Sequence, residues 1–273
     1  MMRRLPRQLS LQTQGKYGRE VQLEKKALPR DKTAQVWRDP CRAFSREVAI
    51  ASILRIGHRG AAGHAPENTL AAIWKARFLR ADLIEVDIRK TCDGHLVLLH
   101  DGTVDRTTNK TGHVAEMALD HVQRLDTGNG QCIPTLEEAL KAATGGIGMI
   151  LELKVEGIGN DTIAIVDRVG FSGLLIYASF LMEELHRVRH ADPSAKIMVL
   201  HHRRLPQDPI ADVVAVNASH VGLHFCTVTP ALVQTCHNLG HNVFTYTVNE
   251  PRDIRRMRDM GVDGIVSDFP DRI

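Results

Sequence analysis

The segment Asp82-Leu83-Ile84-Glu85-Val86-Asp87-Ile88, running through Arg89-Lys90-Thr91-Cys92-Asp93-Gly94-His95 into Leu96-Val97-Leu98-Leu99-His100, decides how the chain is read. Two short apolar runs flank Asp93-Gly94, a dipeptide that strongly marks a hairpin turn. Leu96–His100 is therefore expected to fold back antiparallel on Asp82–Ile88. With Asp93 and Gly94 as the turn, Asp87 falls opposite His100 and Glu85 opposite Gly102. Residues two apart on a strand share a face. Glu85, Asp87 and His100 are thus predicted to crowd one surface. Two carboxylates and an imidazole buried together are costly without a compensating cation. Oxygen-rich donors favour a hard divalent ion, magnesium or calcium, over zinc.

Outward from this hairpin, further strand candidates are Ile53–Gly57, Gly148–Leu153, Leu174–Ala178, Ile197–Leu200, His220–Phe225, Asn242–Val248 and Gly264–Ser267. Segments with apolar spacings of three and four lie between many of them, among them Thr69–Phe78, Leu136–Ala143 and Pro251–Met260. Thr69 reads as an N-cap, and Thr135 with Glu138 has capping-box spacing. Strands alternating with helices, in runs short enough to be buried on both faces, indicate a parallel α/β fold. Nine candidates, one of them the hairpin partner, leave the eight that a (β/α)8 TIM barrel requires. A doubly wound sheet shares the periodicity, but about 220 residues suit the barrel better.

In such a barrel, charged residues at strand C-termini point into the active-site mouth. Glu152 and Lys154 close the run Met149-Ile150-Leu151-Glu152-Leu153-Lys154, two apart and so on one face. His58 and Arg59 end the first run, between Gly57 and Gly60, glycines that permit tight turns and close approach of a ligand. Taken singly, these signals are weak: a Glu-x-Asp is ordinarily a solvated strand edge, and a Glu-x-Lys a surface ion pair of little consequence. Their weight comes from occurring together at successive strand ends. The other polar groups have plainer readings. His201-His202-Arg203-Arg204 reads as a solvated loop, with substrate contact at the mouth as the second reading, His224 and His237 as packing or surface residues, and Asp93 and Asp105 as turn formers. Glu67-Asn68-Thr69 reads as an ordered loop capping a helix, and Asn249 and Asp268 as pocket or capping residues.

Composition excludes other classes. The chain has 273 residues, 43% hydrophobic and 25% charged, with no apolar run of membrane-spanning length. The five cysteines form no C-x-x-C pair, which favours a reducing compartment and, with it, a cytoplasmic location. Net charge is uneven. Up to Val48 there are twelve basic and five acidic residues, leaving 23 and 27 in the remainder. The basic balance thus belongs to residues 1–50, expected to be a poorly ordered extension, and residues 51–273 form the barrel domain. The extension reads as a solvated tail, with an organelle transit peptide or a patch for anionic surfaces as alternatives. The acidic body argues against nucleic acid as a partner.

The strings IGHRGAAGHAPENTLAA (56–72), IEVDIRKTCDGHLVLLHD (84–101), VDRTTNKTG (104–112), IPTLEEAL (133–140), LELK (151–154), YTVN (246–249) and MGVDGIVSDFP (260–270) make the chain resemble the glycerophosphodiester phosphodiesterases. The resemblance covers nearly everything beyond the basic extension. It implies a TIM barrel with one divalent cation, Mg2+ or Ca2+, at the mouth. It also implies catalytic roles for His58 and His100, metal ligation by Glu85, Asp87 and Glu152, and phosphate contact by Arg59 and Lys154. Tyr246 stands where the family often has Trp, and would offer a ring and a hydroxyl to substrate. Leu181, in Ser179-Phe180-Leu181, stands where the family often has Asp. The implied reaction is metal-dependent hydrolysis of a small glycerophosphodiester to sn-glycerol 3-phosphate and an alcohol by His/His acid–base catalysis. Lysophospholipase D-type hydrolysis of a lipid diester is the alternative within that chemistry, and a non-catalytic phosphate-binding module the alternative outside it. Deleting residues 1–48 is expected to spare turnover, measured against the full chain on the same diester.

Overall fold

Eight parallel strands close into a barrel in the computed structural model, which describes residues 53–273. The strands are β1 (Leu54–Gly57), β2 (Leu83–Lys90), β3 (Leu96–Leu98), β4 (Gly148–Leu153), β5 (Leu175–Ser179), β6 (Ile197–His201), β7 (His220–His224), β8 (Asn242–Tyr246) and β9 (Gly264–Ser267). The order β1-β9-β8-β7-β6-β5-β4-β2 returns on itself because β1 also pairs with β2. Strand β3 alone is antiparallel among the described strands, hydrogen-bonded to the end of β2. The expectation for residues 1–50 falls outside the described residues.

Helices α1 (Leu70–Phe78), α2 (Leu119–Val122), α3 (Leu136–Ala143), α4 (Gly159–Val169), α5 (Met182–Ala191), α6 (Ala211–Ala215), α7 (Pro230–Asn238) and α8 (Pro251–Asp259) follow or link the strands. Both capping expectations hold. The Thr69 hydroxyl accepts from the Ala72 amide, and Thr135 and Glu138 form a reciprocal capping box on α3.

Parity divides each parallel strand between two cores. Ile84, Val86 and Ile88 of β2, with Met149, Leu151 and Leu153 of β4, pack outward into the layer shared with the helices. Ile56, Leu83, Ile150, Ile176, Met198 and Phe244 fill the barrel interior. Continuing the interior parity to the strand C-termini gives His58, Glu85, Asp87, Glu152, Lys154 and Asp268. The interior is therefore greasy below and charged at its rim, the layering of a TIM barrel.

The hairpin differs from its expected register by one residue. Ile88 pairs with Leu98, Arg89 with Val97 and Lys90 with Leu96, so Asp87 lies across from Leu99 and not from His100. The Leu99 amide donates to the Asp87 carbonyl at 3.0 Å. The cause is a three-residue loop, Cys92–Gly94, closed by the Thr91 amide donating to the His95 carbonyl at 2.9 Å. Gly94, at φ +88°, takes the left-handed position such loops need. Asp93 is held by the Thr91 hydroxyl at 2.6 Å and accepts from the Leu119 amide, tying the turn to α2. A one-residue slip would normally turn His100 to the wrong face. It does not here, because the ladder ends at Leu98. Val97 and Leu99 enter a small separate core with Val104, Val114, Val122 and Ile133, and the segment between His100 and Ile133 built on it forms a small cap.

At the opposite end of the barrel His220 is buried at the start of β7. Its ring bonds the Ser219 hydroxyl at 2.8 Å and sits edge-on to Phe244. Burial, with the nearby Lys196 charge, pushes its pKa down to about 4. The fold thus holds the neutral ring while the unfolded chain binds the proton first. Stability contributed at pH 7 should fall by up to about 3 kcal/mol as pH drops from about 6.5 to 4. His220→Gln is expected to flatten that loss, read by urea unfolding across this pH range.

Candidate active site

The Gly57–Gly60 turn after β1 presents two charged side chains to the mouth. Gly57 allows the Gly60 carbonyl to approach so closely that a Cβ there would sit 2.2 Å from its oxygen, and Gly60 itself packs against Ala72 of α1. These glycines let the backbone turn tightly on itself and against α1, the tight turn expected of them. Between them the Arg59 amide donates to Glu85 Oε2 at 3.0 Å. The Arg59 guanidinium reaches Glu67 at 2.6 Å and Asp87 at 3.3 Å.

Glu85, Asp87 and Glu152 offer oxygens that all lie within 4.8 Å of one another. Adjacent β2 and β4 set this, with Asp87 in register with Glu152. Lys154 Nζ touches Glu152 at 2.5 Å and Asp87 at 3.3 Å. Burial and the charge of Asp87 push Glu85 up to about 8, and the same two causes raise Glu152 despite its lysine. Asp87 goes the other way. Burial acts to raise it, but Lys154, Arg59, His100 and a 2.8 Å hydrogen bond from the Asn68 amide hold it below the usual range. Glu85 Oε1 is buried and has no hydrogen-bond partner. An orphaned carboxylate oxygen beside two more carboxylates, all hard donors, fits a divalent cation.

Each mouth histidine is backed by an aspartate. His58 Nδ1 bonds Asp268 Oδ1 at 2.6 Å, leaving Nε2 4.0 Å from Glu85 and 3.2 Å from Arg59 Nε. Burial acts to lower the His58 pKa, but Asp268 and Glu85 prevail and raise it. Asp268 is fixed by Asn249, whose amide donates to Oδ2 at 2.6 Å and whose oxygen accepts from the Asp268 amide at 2.9 Å. His100 Nδ1 bonds Asp101 at 2.6 Å, and burial lowers its pKa although Asp87 acts to raise it. Asp101 is bound in turn by Arg106 at 2.6 Å, and Arg106 grips Glu67 through two nitrogens at 2.8 Å. That chain links the cap to the loop after β1.

A cavity of ≈ 40 Å³ runs down from His58, Glu85 and Glu152 along Phe180, Phe244 and Tyr246. The Tyr246 hydroxyl donates to the His201 carbonyl, so its ring, and not its hydroxyl, faces the space. His201 is buried and bonds the Pro209 carbonyl at 2.8 Å, which corrects its reading as part of a solvated loop.

Residues 58–272 match the glycerophosphoryl diester phosphodiesterase family. The chain belongs to that family. It is 34% identical to the glycerophosphodiester phosphodiesterase of Caldanaerobacter subterraneus, over 81% of this chain and 96% of that protein. Among solved structures it is similar to an Oleispira antarctica phosphodiesterase in complex with the product sn-glycerol-3-phosphate, with TM-score 0.74 and 28% identity over 80% and 94% of the two chains. The glycerophosphodiester phosphodiesterase of Agrobacterium tumefaciens gives TM-score 0.72 at 29% identity, covering 81% and 98%. Like its relatives, this glycerophosphodiester phosphodiesterase is an enzyme, which disposes of the non-catalytic reading. No helix among the described residues is long and apolar enough to cross a membrane.

All eight residues singled out from the sequence sit at this mouth. Sequence reasoning missed Asp101 and the work of Glu67 and Asn68, which it assigned only to loop order; it allowed Asp268 a pocket role without linking it to His58. Asp101 directly follows His100 and could have been suspected; Asp268 lies 210 positions from His58, and nothing local marked the two as partners. Because Glu85 must lose its proton to accept a cation, Mg2+ or Ca2+ affinity should rise from pH 6 to 8 by roughly tenfold or more and level off above. Calorimetry in buffers of different ionisation enthalpy would register the released proton.

Proposed function

We propose that the enzyme hydrolyses small glycerophosphodiesters to sn-glycerol 3-phosphate and an alcohol, using His58 and His100 as the acid–base pair and a magnesium or calcium ion held by Glu85, Asp87 and Glu152. The observation that carries this reading is the pair of His–Asp couples, His58–Asp268 and His100–Asp101, beside three carboxylates with one oxygen unsatisfied. When bound, the cation would neutralise phosphoryl charge and polarise the ester.

The remaining work falls to side chains of this chain. A carboxylate on Nδ1 fixes each imidazole's tautomer and steadies its charged form, so that Nε2 is the atom that gives or takes a proton. Asn249 and Arg106 in turn hold those carboxylates still. Arg59 and Lys154 carry positive charge into the same space and would face the phosphoryl oxygens once the cation shares the carboxylates. Tyr246 and Phe180 bound the cavity with rings and keep water from its apolar side.

The alternative lipid substrate draws no support from this cavity. Its ≈ 40 Å³ has room for about three waters, at roughly 10–15 Å³ each, and not for an acyl chain.

Replacing His58 or His100 with Ala should lower kcat by about 10²–10⁴-fold while circular dichroism stays unchanged; near-normal turnover in either variant would refute its role. Asp268→Asn should lower kcat by about 10- to 100-fold with little change in KM, since it acts through His58. Chelator should abolish turnover and added Mg2+ or Ca2+ restore it.

A further inference from the structure

The mouth is divided by charge. Its β1–β4 side carries the carboxylate cluster and is tied to the cap by Glu67, Asp101 and Arg106. The β5–β8 side is different. Interior parity brings Phe180, His202, His224 and Tyr246 to the ends of these strands. The His202 ring lies flat on Phe180, with centroids 4.2 Å apart and planes 16° off parallel. Lys154 Nζ stands 6.0 Å from the same Phe180 ring. His224 stacks on Phe225 at 4.9 Å, and the Arg256 guanidinium sits 5.6 Å from that ring. Tyr246 meets both Phe180 and His224 edge-on at 6.2 Å.

Arg203 and Arg204 follow His202 and are exposed. Arg203 lies near enough to His224 to help hold its pKa down, after burial. Among the described residues no carboxylate comes within 4.0 Å of either arginine, whereas most other mouth cations are paired. The acid of this loop, Asp208, accepts the amides of Ile210 and Ala211. Arg203 and Arg204 therefore bring positive charge without an ion-pair partner to this half of the mouth.

The cavity beside His58 and Glu85 is too small to take a head group, and the cap occupies the other side. The arm that differs between diesters thus runs outward over the β5–β8 rim. A quaternary ammonium needs free aromatic faces or carboxylates. Here the rings of Phe180 and Phe225 are already stacked by imidazoles and approached by cations. An anionic arm meets two unpaired guanidiniums, which bind phosphate oxygens well.

We infer that the rim formed by His202, Arg203, Arg204 and His224 selects diesters whose alcohol carries an anionic group, such as a second phosphate, over those carrying a quaternary ammonium. This rests on the hydrolase reading above.

The test compares kcat/KM for bis(glycerophospho)glycerol and for glycerophosphocholine in the full chain with Mg2+ or Ca2+, after dividing out the statistical factor for the two scissile sites of the former. The ratio should be about tenfold or more at low ionic strength and should shrink in roughly 0.5 M salt. In Arg203→Gln/Arg204→Gln it should fall to within about twofold of unity. Because both substrates are read on one preparation, partial loss of fold cancels from the ratio. Equal or faster turnover of glycerophosphocholine by the unsubstituted enzyme, or a ratio unmoved by the double substitution, would overturn the inference alone. Turnover of neither diester would overturn the hydrolase reading with it.

Discussion

Three carboxylates converge at the top of a barrel whose interior below them is apolar, and nearly every polar feature nearby answers to that fact. Glu85 and Asp87 are almost wholly buried, and Glu152 sits beside them. Desolvation and mutual repulsion both disfavour three negative charges in such a place. The chain offsets part of the cost with Arg59 and Lys154, which between them touch all three through side chain or backbone. Asn68 adds a neutral donor to Asp87 and accepts its amide at 3.2 Å. The compensation stops short at Glu85, whose pKa near 8 and unbonded oxygen mark a charge that the protein alone does not balance. Such a residual imbalance costs stability, which is usual where a site is built for a ligand rather than for the fold.

Strand parity is what confines this imbalance to one layer. Side chains two residues apart share the interior, so apolar and charged layers succeed each other along a single strand. On β2 the interior sequence is Leu83, Glu85, Asp87; on β4 it is Ile150, Glu152, then Lys154 just beyond. Leu83 and Ile150 seal the barrel directly beneath the acids. Water can reach the carboxylates only from the mouth, which keeps the local dielectric low and the electrostatics strong.

Much of this was legible in the sequence because it is local. Strand ends, the Glu-x-Asp and Glu-x-Lys parities and the hairpin all depend on residues a few positions apart, and each strand appears within a residue or two of its expected bounds. The register error at Asp93-Gly94 shows where local reading stops. A two-residue and a three-residue loop share that dipeptide, and the three-residue loop comes with Asp93 bonding Leu119, a contact 26 residues away. The two aspartates behind the histidines mark the same limit. Asp101 was adjacent and overlooked; Asp268 joins His58 only because β9 closes the barrel against β1 in the register Gly57 to Ser267. Closure is a property of all eight strands, and no single segment announces it.

The same ring of strand-end positions that concentrates acid on β2 and β4 carries aromatic and basic residues on β5 to β8. That asymmetry follows from a physical conflict. On the proposed mechanism, a site that holds a cation and cuts an anion would be ill served by either sign alone, since a wholly acidic mouth repels the diester and a wholly basic one repels the metal. Separating the signs across the barrel, with Lys154 and Tyr246 near the dividing line, would let one side take the cation while the other draws the substrate in. The stacked imidazoles of His202 and His224 suit such a rim, since they fill its space as aromatic rings.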